Sequence, residues 1–421
     1  MNISIEKKLI YFAPVDEATS IWGVYCLPRM WRKPNGELVI RINGEQDCAD
    51  KETATKANTL YFSSKNNGKS WEKTDLEQDI SYITGISSPI LSLESGEKIA
   101  LQNIRDLKPI VGVQEDCRFS MPNGEGIYKA YHYGDIPNDA KGLKVVRFDS
   151  TGKVISSARA LMDFPEREVF VVAYPNVNGK YVKRDEYLSP MPWSSPYMSS
   201  LIEYDGQTLL ALTVGQNPAV NDRYCPDVYV VESTDMGKTW KKRGVVASDS
   251  KMLNGYGGDG AEVSLCKTKT GRLLCVMRME MSITQAHFCD TMMAMSDDGG
   301  YTWTTPVSVA ESSVTPHIIS LKNGVIVLIY GRPGVHFKYS LDDGKTFSKS
   351  AAIIGETLSE KRVRGITDAE SKYGDMDSYS NTFVEVIDDS SLLVVYNDMK
   401  YDPGDGKNHK ATLAAELKFL K

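Results

Sequence analysis

The chain has 421 residues, a formal net charge of −6, 41% hydrophobic residues and 25% charged residues. That balance excludes a disordered or fibrous chain, and the length suits either several ordinary domains or one large all-β domain. No basic footprint for nucleic acid is present, and no run of about 18 apolar residues marks a membrane span.

The chain opens on Met1-Asn2 and a strand-like segment, Ile3 to Phe12. No apolar leader precedes it, so the sequence as it stands predicts a cytoplasmic protein; an exported form with its leader already removed stays open. The seven cysteines are odd in number and form no C-x-x-C pair, which argues against a disulfide framework and for a reducing compartment. The five histidines (132, 287, 317, 336 and 409) show no metal-ligand spacing, so no metal is predicted. Nucleophile-elbow, dinucleotide and P-loop strings are absent.

Further along, one pattern recurs: a short apolar or Ser-Pro start, a turn ending in Gly or Ser, then a strongly apolar strand. It runs from Leu27-Pro28 to Gly36, from Ser88-Pro89 to Gly96 and from Ser195-Pro196 to Gly206. It returns from Ala261-Glu262 to Gly271, from Thr315-Pro316 to Gly324 and from Tyr379-Ser380 to Ser390. Between the second and third copies lies an insertion at about 105–191, read as extra hairpins at one rim. It contains Gly124-Glu-Gly126, Asp135-Ile-Pro-Asn138 and Asp149-Ser-Thr-Gly152. The last segment, Ala411 to Leu420, is again strand-like.

A second string follows several of these starts. The copies are Ser64-Lys-Asn-Asn-Gly68-Lys-Ser70-Trp71, Ser233-Thr-Asp235-Met-Gly237-Lys-Thr239-Trp240, Ser296-Asp-Asp298-Gly-Gly300-Tyr-Thr302-Trp303 and Ser340-Leu-Asp342-Asp-Gly344-Lys-Thr346-Phe347. Asp or Asn bonds its own turn, Gly permits positive φ, and hydroxyls tie the loop. The aromatic ring then plugs the neighbouring sheet. A calcium or sugar site is the other reading of this string; a folding staple is the preferred one. Six similar sheets of about four strands predict an all-β, six-bladed β-propeller of four-stranded antiparallel blades. One domain over 1–421 is expected, closed by the first and last segments sharing a blade.

The S-x-D-x-G-x-T-W string is the Asp-box, and the chain resembles the sialidase superfamily from about Tyr25 to Tyr396. The resemblance implies an axial site where arginines clamp a sugar carboxylate, a tyrosine is nucleophile, a glutamate activates it and an aspartate is the acid/base. A free tyrosine, with a pKa near ~10, needs such a base at neutral pH. By position, Glu262 and Arg278 resemble the glutamate and second arginine, Arg332 the third arginine, and Tyr379 the nucleophile, with Asp377 its local rival. The first blade departs from the pattern: Cys26 stands where the first arginine belongs. Arg29 and Arg32 lie close by, and alternation turns Arg29 away unless the backbone bulges. Asp47 and Asp50 are the acid/base candidates, and Asp50 fits the spacing better.

The resemblance implies an exo-acting glycoside hydrolase acting on a glycan, through Tyr379 with Glu262 or through the carboxylate pair Asp50 and Glu262. The missing arginine places strict sialidase activity in doubt. A non-catalytic carbohydrate-binding propeller and a polysaccharide lyase with a tyrosine, His317 or His336 as base remain alternatives. No cofactor, nucleic acid or membrane partner is implied, and the oligomeric state is open.

Overall fold

The computed structural model describes residues 1–17, 21, 23–46, 55–75, 90–103, 112–114, 121–123, 126–163, 169–177, 180–181, 198–215, 227–248, 262–278, 290–310, 314–331, 334–355 and 382–420. Among them there is no α-helix, only strands and two short 3-10 turns. The chain starts with β1 (Asn2–Phe12), then β2 (Cys26–Arg32), β3 (Leu38–Asn43), β4 (Leu60–Ser64) and β5 (Glu72–Lys73). It continues with β6 (Ile90–Ser92), β7 (Lys98–Asn103), β8 (Met121–Asn123), β9 (Gly126–His132), β10 (Leu143–Phe148), β11 (Val154–Asp163), β12 (Val169–Val177) and β13 (Lys180–Tyr181). Next are β14 (Met198–Glu203), β15 (Leu209–Gly215), β16 (Asp227–Ser233), β17 (Thr239–Ala247), β18 (Val263–Lys267), β19 (Leu273–Met277), β20 (Thr291–Ser296) and β21 (Val307–Ala310). The last are β22 (Val314–Ser320), β23 (Ile326–Gly331), β24 (Val335–Ser340), β25 (Ala351–Ile354), β26 (Phe383–Val386), β27 (Ser391–Tyr401) and β28 (His409–Leu420).

These strands form six antiparallel four-strand units. They are β2–β5; β6, β7, β10 and β11; β14–β17; β18–β21; β22–β25; and β26–β28 completed by β1. The second and third are joined into one sheet where Leu161–Asp163 run parallel to Thr239–Lys241. The first and last segments share a unit as expected, with Asn2 opposite Leu420 and Phe12 opposite Ala411.

Each unit packs on the next through its own apolar cluster. Trp31, Val39, Ile90 and Phe148 join units one and two. Ile99, Val145, Leu209 and Trp240 join two and three, and Leu212, Val230, Val263 and Cys275 join three and four. Leu274, Val276, Ile318 and Leu328 join four and five, and Val327, Phe337, Val394 and Phe419 join five and six. Ile40, Phe62, Leu393 and Val395 bring the sixth back onto the first. A ring has no free sheet face between units, so the middle strands are buried on both sides. That is why β16, β19 and β23 are buried at every residue and read as continuous apolar runs instead of alternating.

The stretch 105–191 supplies two different things. Its β8, β9, β12 and β13 form a separate sheet. Its β10 and β11 are the outer strands of the second unit, joined by the Asp149–Gly152 turn. There the Asp149 carboxylate accepts from the Thr151 and Lys153 amides at 2.9 and 3.0 Å.

The four Asp-box turns link the third and fourth strands of units one, three, four and five. In the third unit Ser233 donates to Asp235 at 2.8 Å, and the Gly237 and Thr239 amides donate to Ser233 Oγ and Asp235 Oδ1 at 2.8 and 2.9 Å. Trp240 Nε1 closes the turn on the Gly237 carbonyl at 2.9 Å. Trp240 is buried, whereas Trp303 and Phe347 are half-buried. The polar groups of these turns bond one another, which supports the staple reading.

At the same end of the first unit as its Asp-box turn, Arg32 clamps the ring. Its Nε donates to Glu385 at 2.9 Å, Nη1 to the Gly36 carbonyl and Asn67 Oδ1 at 2.9 Å each, and Nη2 to the Val386 carbonyl at 3.3 Å.

Candidate active site

The rim where the inner strands begin gathers its side chains through backbone irregularities. In the first, third and fifth units the inner strand carries one extra residue. The register shifts between Cys26 and Arg29, Ser199 and Ile202, and Val314 and His317. The residues absorbing it have positive φ: Leu27 at 54°, Ser200 at 53° and Thr315 at 43°. Such bulges re-aim side chains, and they concentrate next to active sites.

In the first unit the bulge settles the direction of Arg29. Cys26 faces Asn43 and Arg29 faces Arg41, two residues apart on β3, so both lie on one side of the sheet. That side also carries Trp31 and Val39, which pack against the second unit. Arg32 lies on the other side, committed to the Glu385 clamp. Cys26 is buried, and its Sγ accepts from the Gly23 amide at 3.2 Å.

In the fourth unit Glu262 directly precedes β18 and Arg278 directly follows β19. The antiparallel pair closes between them, with the Arg278 amide donating to the Glu262 carbonyl at 2.9 Å. Their side chains meet as an ion pair, Arg278 Nη1 to Glu262 Oε2 at 2.9 Å. The pair is partly covered, with side-chain exposures of 16% and 21%. It therefore sits in a setting where charge–charge attraction exceeds its value in open water and yet a solute can reach it. The same Oε2 accepts a second hydrogen bond, from the Thr315 amide at 2.7 Å.

Three hydroxyls stitch successive inner strands. The Leu265 amide donates to Ser200 Oγ at 2.9 Å, Ile318 to Ser264 Oγ at 3.1 Å, and Thr382 to Thr315 Oγ1 at 3.0 Å. Thr315 and Thr382 were not singled out as site residues from the sequence. Thr315-Pro316 was legible only as the start of a unit, because a positive φ in a β-branched residue has no local signature.

His317 is buried, and its Nε2 lies 2.6 Å from the Thr382 carbonyl. A carbonyl only accepts, so Nε2 carries the proton. Burial pushes the pKa of this imidazole down to about 4, so it is neutral at physiological pH. His336 is fully buried and stacked on Tyr330, with ring centroids 5.8 Å apart. Neither ring is exposed to receive a substrate, so the lyase reading loses both of its histidine bases.

The structure thus brings Glu262 and Arg278 together and places Arg29 on the face toward the second unit. Asp50, Asp47, Arg332, Asp377 and Tyr379 lie outside the described residues. Among the described residues no group of three or more His, Cys, Asp and Glu is arranged to hold a metal ion.

Fold and rim define a β-propeller with a carboxylate–guanidinium pair where its inner strands begin. A family model described as a BNR repeat-like domain matches residues 192–418, more than half of the chain, and the chain belongs to that family. Membership agrees with the Asp-box resemblance to the sialidase superfamily. No curated protein sequence matches the chain. A solved structure of a protein of unknown function from Dyadobacter fermentans is similar over 98% of this chain and 99% of that one. Its TM-score is 0.55 and its identity 16%, a likeness of fold. The NanB sialidase from Streptococcus pneumoniae is similar over 98% of this chain and 70% of its own, with TM-score 0.46 and 15% identity. An α-L-arabinofuranosidase from Fusarium graminearum with an iminosugar inhibitor is similar over 99% and 98%, with TM-score 0.48 and 11% identity.

Proposed function

We propose that the protein is an exo-acting glycoside hydrolase that removes a terminal sugar from a glycan. The observation that carries the proposal is the Glu262–Arg278 pair at the strand-start rim, largely but not fully covered and held by the Thr315 amide. Membership of the BNR repeat-like family supports it. On the tyrosine route, Glu262 takes the proton of the Tyr379 hydroxyl while that oxygen attacks the anomeric carbon. Asp50 gives its proton to the departing glycosidic oxygen, and water then releases the sugar. On the carboxylate route, Asp50 and Glu262 divide the nucleophile and acid/base roles. Arg278 and Arg332 orient the sugar, and Arg29 is the candidate third cation beside Cys26.

A panel of aryl glycosides that includes a sialoside and an arabinofuranoside tests the proposal. Turnover on one of them is expected, and Glu262→Gln abolishes it on either route. Tyr379→Phe separates the routes: a loss of several orders of magnitude marks the tyrosine as nucleophile, and a loss of at most ~10–100-fold marks the carboxylate pair. Wild-type rates in both variants on a proven substrate would overturn the site. Glycan binding with no turnover on any sugar would make the protein a binding propeller instead.

A further inference from the structure

Thr315 holds a conformation that a β-branched residue rarely adopts, with φ of 43°. Such strain persists only where the surroundings over-determine it, and it concentrates where function needs a fixed geometry. The surroundings here can be named. The Thr315 hydroxyl accepts from the Thr382 amide at 3.0 Å, and Thr382 Oγ1 donates to the Thr315 carbonyl at 3.2 Å. The Thr382 carbonyl in turn accepts from His317 Nε2 at 2.6 Å. Thr315, His317 and Thr382 are all buried. Ser200 shows the same bulge and the same hydroxyl reach to the next inner strand. What Thr315 adds is its amide, aimed at a carboxylate in the preceding unit.

We propose that Thr315 is a positioning residue for Glu262: its bulge, held by Thr382 and His317, fixes the glutamate side chain in one orientation. The inference rests on Glu262 being the catalytic carboxylate. Oε2 receives both donors, the Thr315 amide at 2.7 Å and Arg278 Nη1 at 2.9 Å. Oε1 meets no donor among the described residues, so it is the oxygen that exchanges a proton with a nucleophile or a substrate. The carboxylate is thereby tied across three units of the ring: its own fourth, Thr315 of the fifth and, through it, Thr382 of the sixth.

The test compares Thr315→Val, which removes the hydroxyl with little change of shape, with Thr315→Ser, which keeps it. On the aryl glycoside that the wild type turns over, Thr315→Val is expected to lower kcat about 10–100-fold with KM within about threefold. Thr315→Ser stays within about threefold of wild type. Thr382→Ala attacks the same lattice from the other strand and is expected to act in the same direction should Thr315→Val fail to fold. A Val variant with wild-type kcat overturns the proposal, as does a Ser variant that falls equally far. A readout free of turnover keeps this apart from the proposed activity. Crystal structures of wild type and Thr315→Val should show the Glu262 carboxylate displaced from Arg278 in the variant. An unmoved carboxylate sinks the positioning role even if no glycoside is ever cleaved.

Discussion

Replacing Trp240 with Ala tests whether the Asp-box is a folding staple. The ring is 1% exposed and sits in the cluster that joins the second and third units. Around it are Ile99, Val145, Leu209 and Val231, and its Nε1 donates to the Gly237 carbonyl at 2.9 Å. Gly237 is pressed into the same space, since a Cβ there would lie 2.9 Å from Val145 Cγ2 at a φ of 84°. The pocket is walled by two packed units and collapses poorly, so Trp240→Ala should cost ~3–5 kcal/mol. Trp240→Phe keeps most of the apolar contact and loses the donated hydrogen bond, a loss of about 0.5–1.5 kcal/mol before any residual cavity. Trp303 makes the same turn contact at 3.0 Å but is only half-buried, so Trp303→Ala should cost less, about 1–3 kcal/mol. Equilibrium denaturation in urea measures all three, provided the slope stays constant between variants so that the midpoint reports stability. Turnover per folded molecule should not change. The reasoning is refuted if Trp240→Ala costs under ~1 kcal/mol, or if a stable variant loses turnover.

Three further outcomes follow from the same geometry. Arg32→Ala removes every bond by which that side chain ties the first unit to Glu385 and Val386 of the sixth, and should lower stability by about 1–3 kcal/mol; an unchanged melting temperature would show that the apolar cluster closes the ring alone. The carboxyls of Asp298 and Asp342 are held down to about 2, chiefly by the Thr302 and Thr346 hydroxyls, so their contribution is present above the ordinary carboxylate range and fades as pH falls toward 2; Asp298→Asn with Asp342→Asn should weaken the acid transition followed by circular dichroism, and an unaltered transition would contradict this. His317 is neutral in the fold with its pKa down to about 4, so the unfolded chain takes up a proton first as pH drops below 6.5; stability should fall by up to about 3 kcal/mol between pH 6.5 and 4, and a His317→Gln protein with the same pH slope would rule this out.

The box turns were legible because their bonds run between residues two to four apart, as from the Thr302 amide to Asp298 or from the Gly300 amide to Ser296. The same locality made the apolar strands and the unit starts readable, whereas the closure of β1 on β28, which pairs Asn2 with Leu420, was read from two strand-like end segments and the open edge they would otherwise leave. The second unit was harder to see. Its outer hairpin turns on Asp149-Ser-Thr-Gly152 with no aromatic plug, and strands of a separate sheet flank it in sequence, so β10 and β11 were read as part of an insertion. Glu262 and Arg278 were selected through the resemblance to the sialidase superfamily, one just before an inner strand and one just after its partner, and the antiparallel pair brings those two ends together. Which arginine beside Cys26 faces which unit was decided only by the tertiary structure. One inserted residue at Leu27 reverses the side on which Arg29 lies, and Arg32 is claimed by a glutamate 353 positions away. The hold of Thr315 on Glu262 was likewise beyond the sequence. It joins strands 53 residues apart, through a backbone angle that only packing from the neighbouring units enforces.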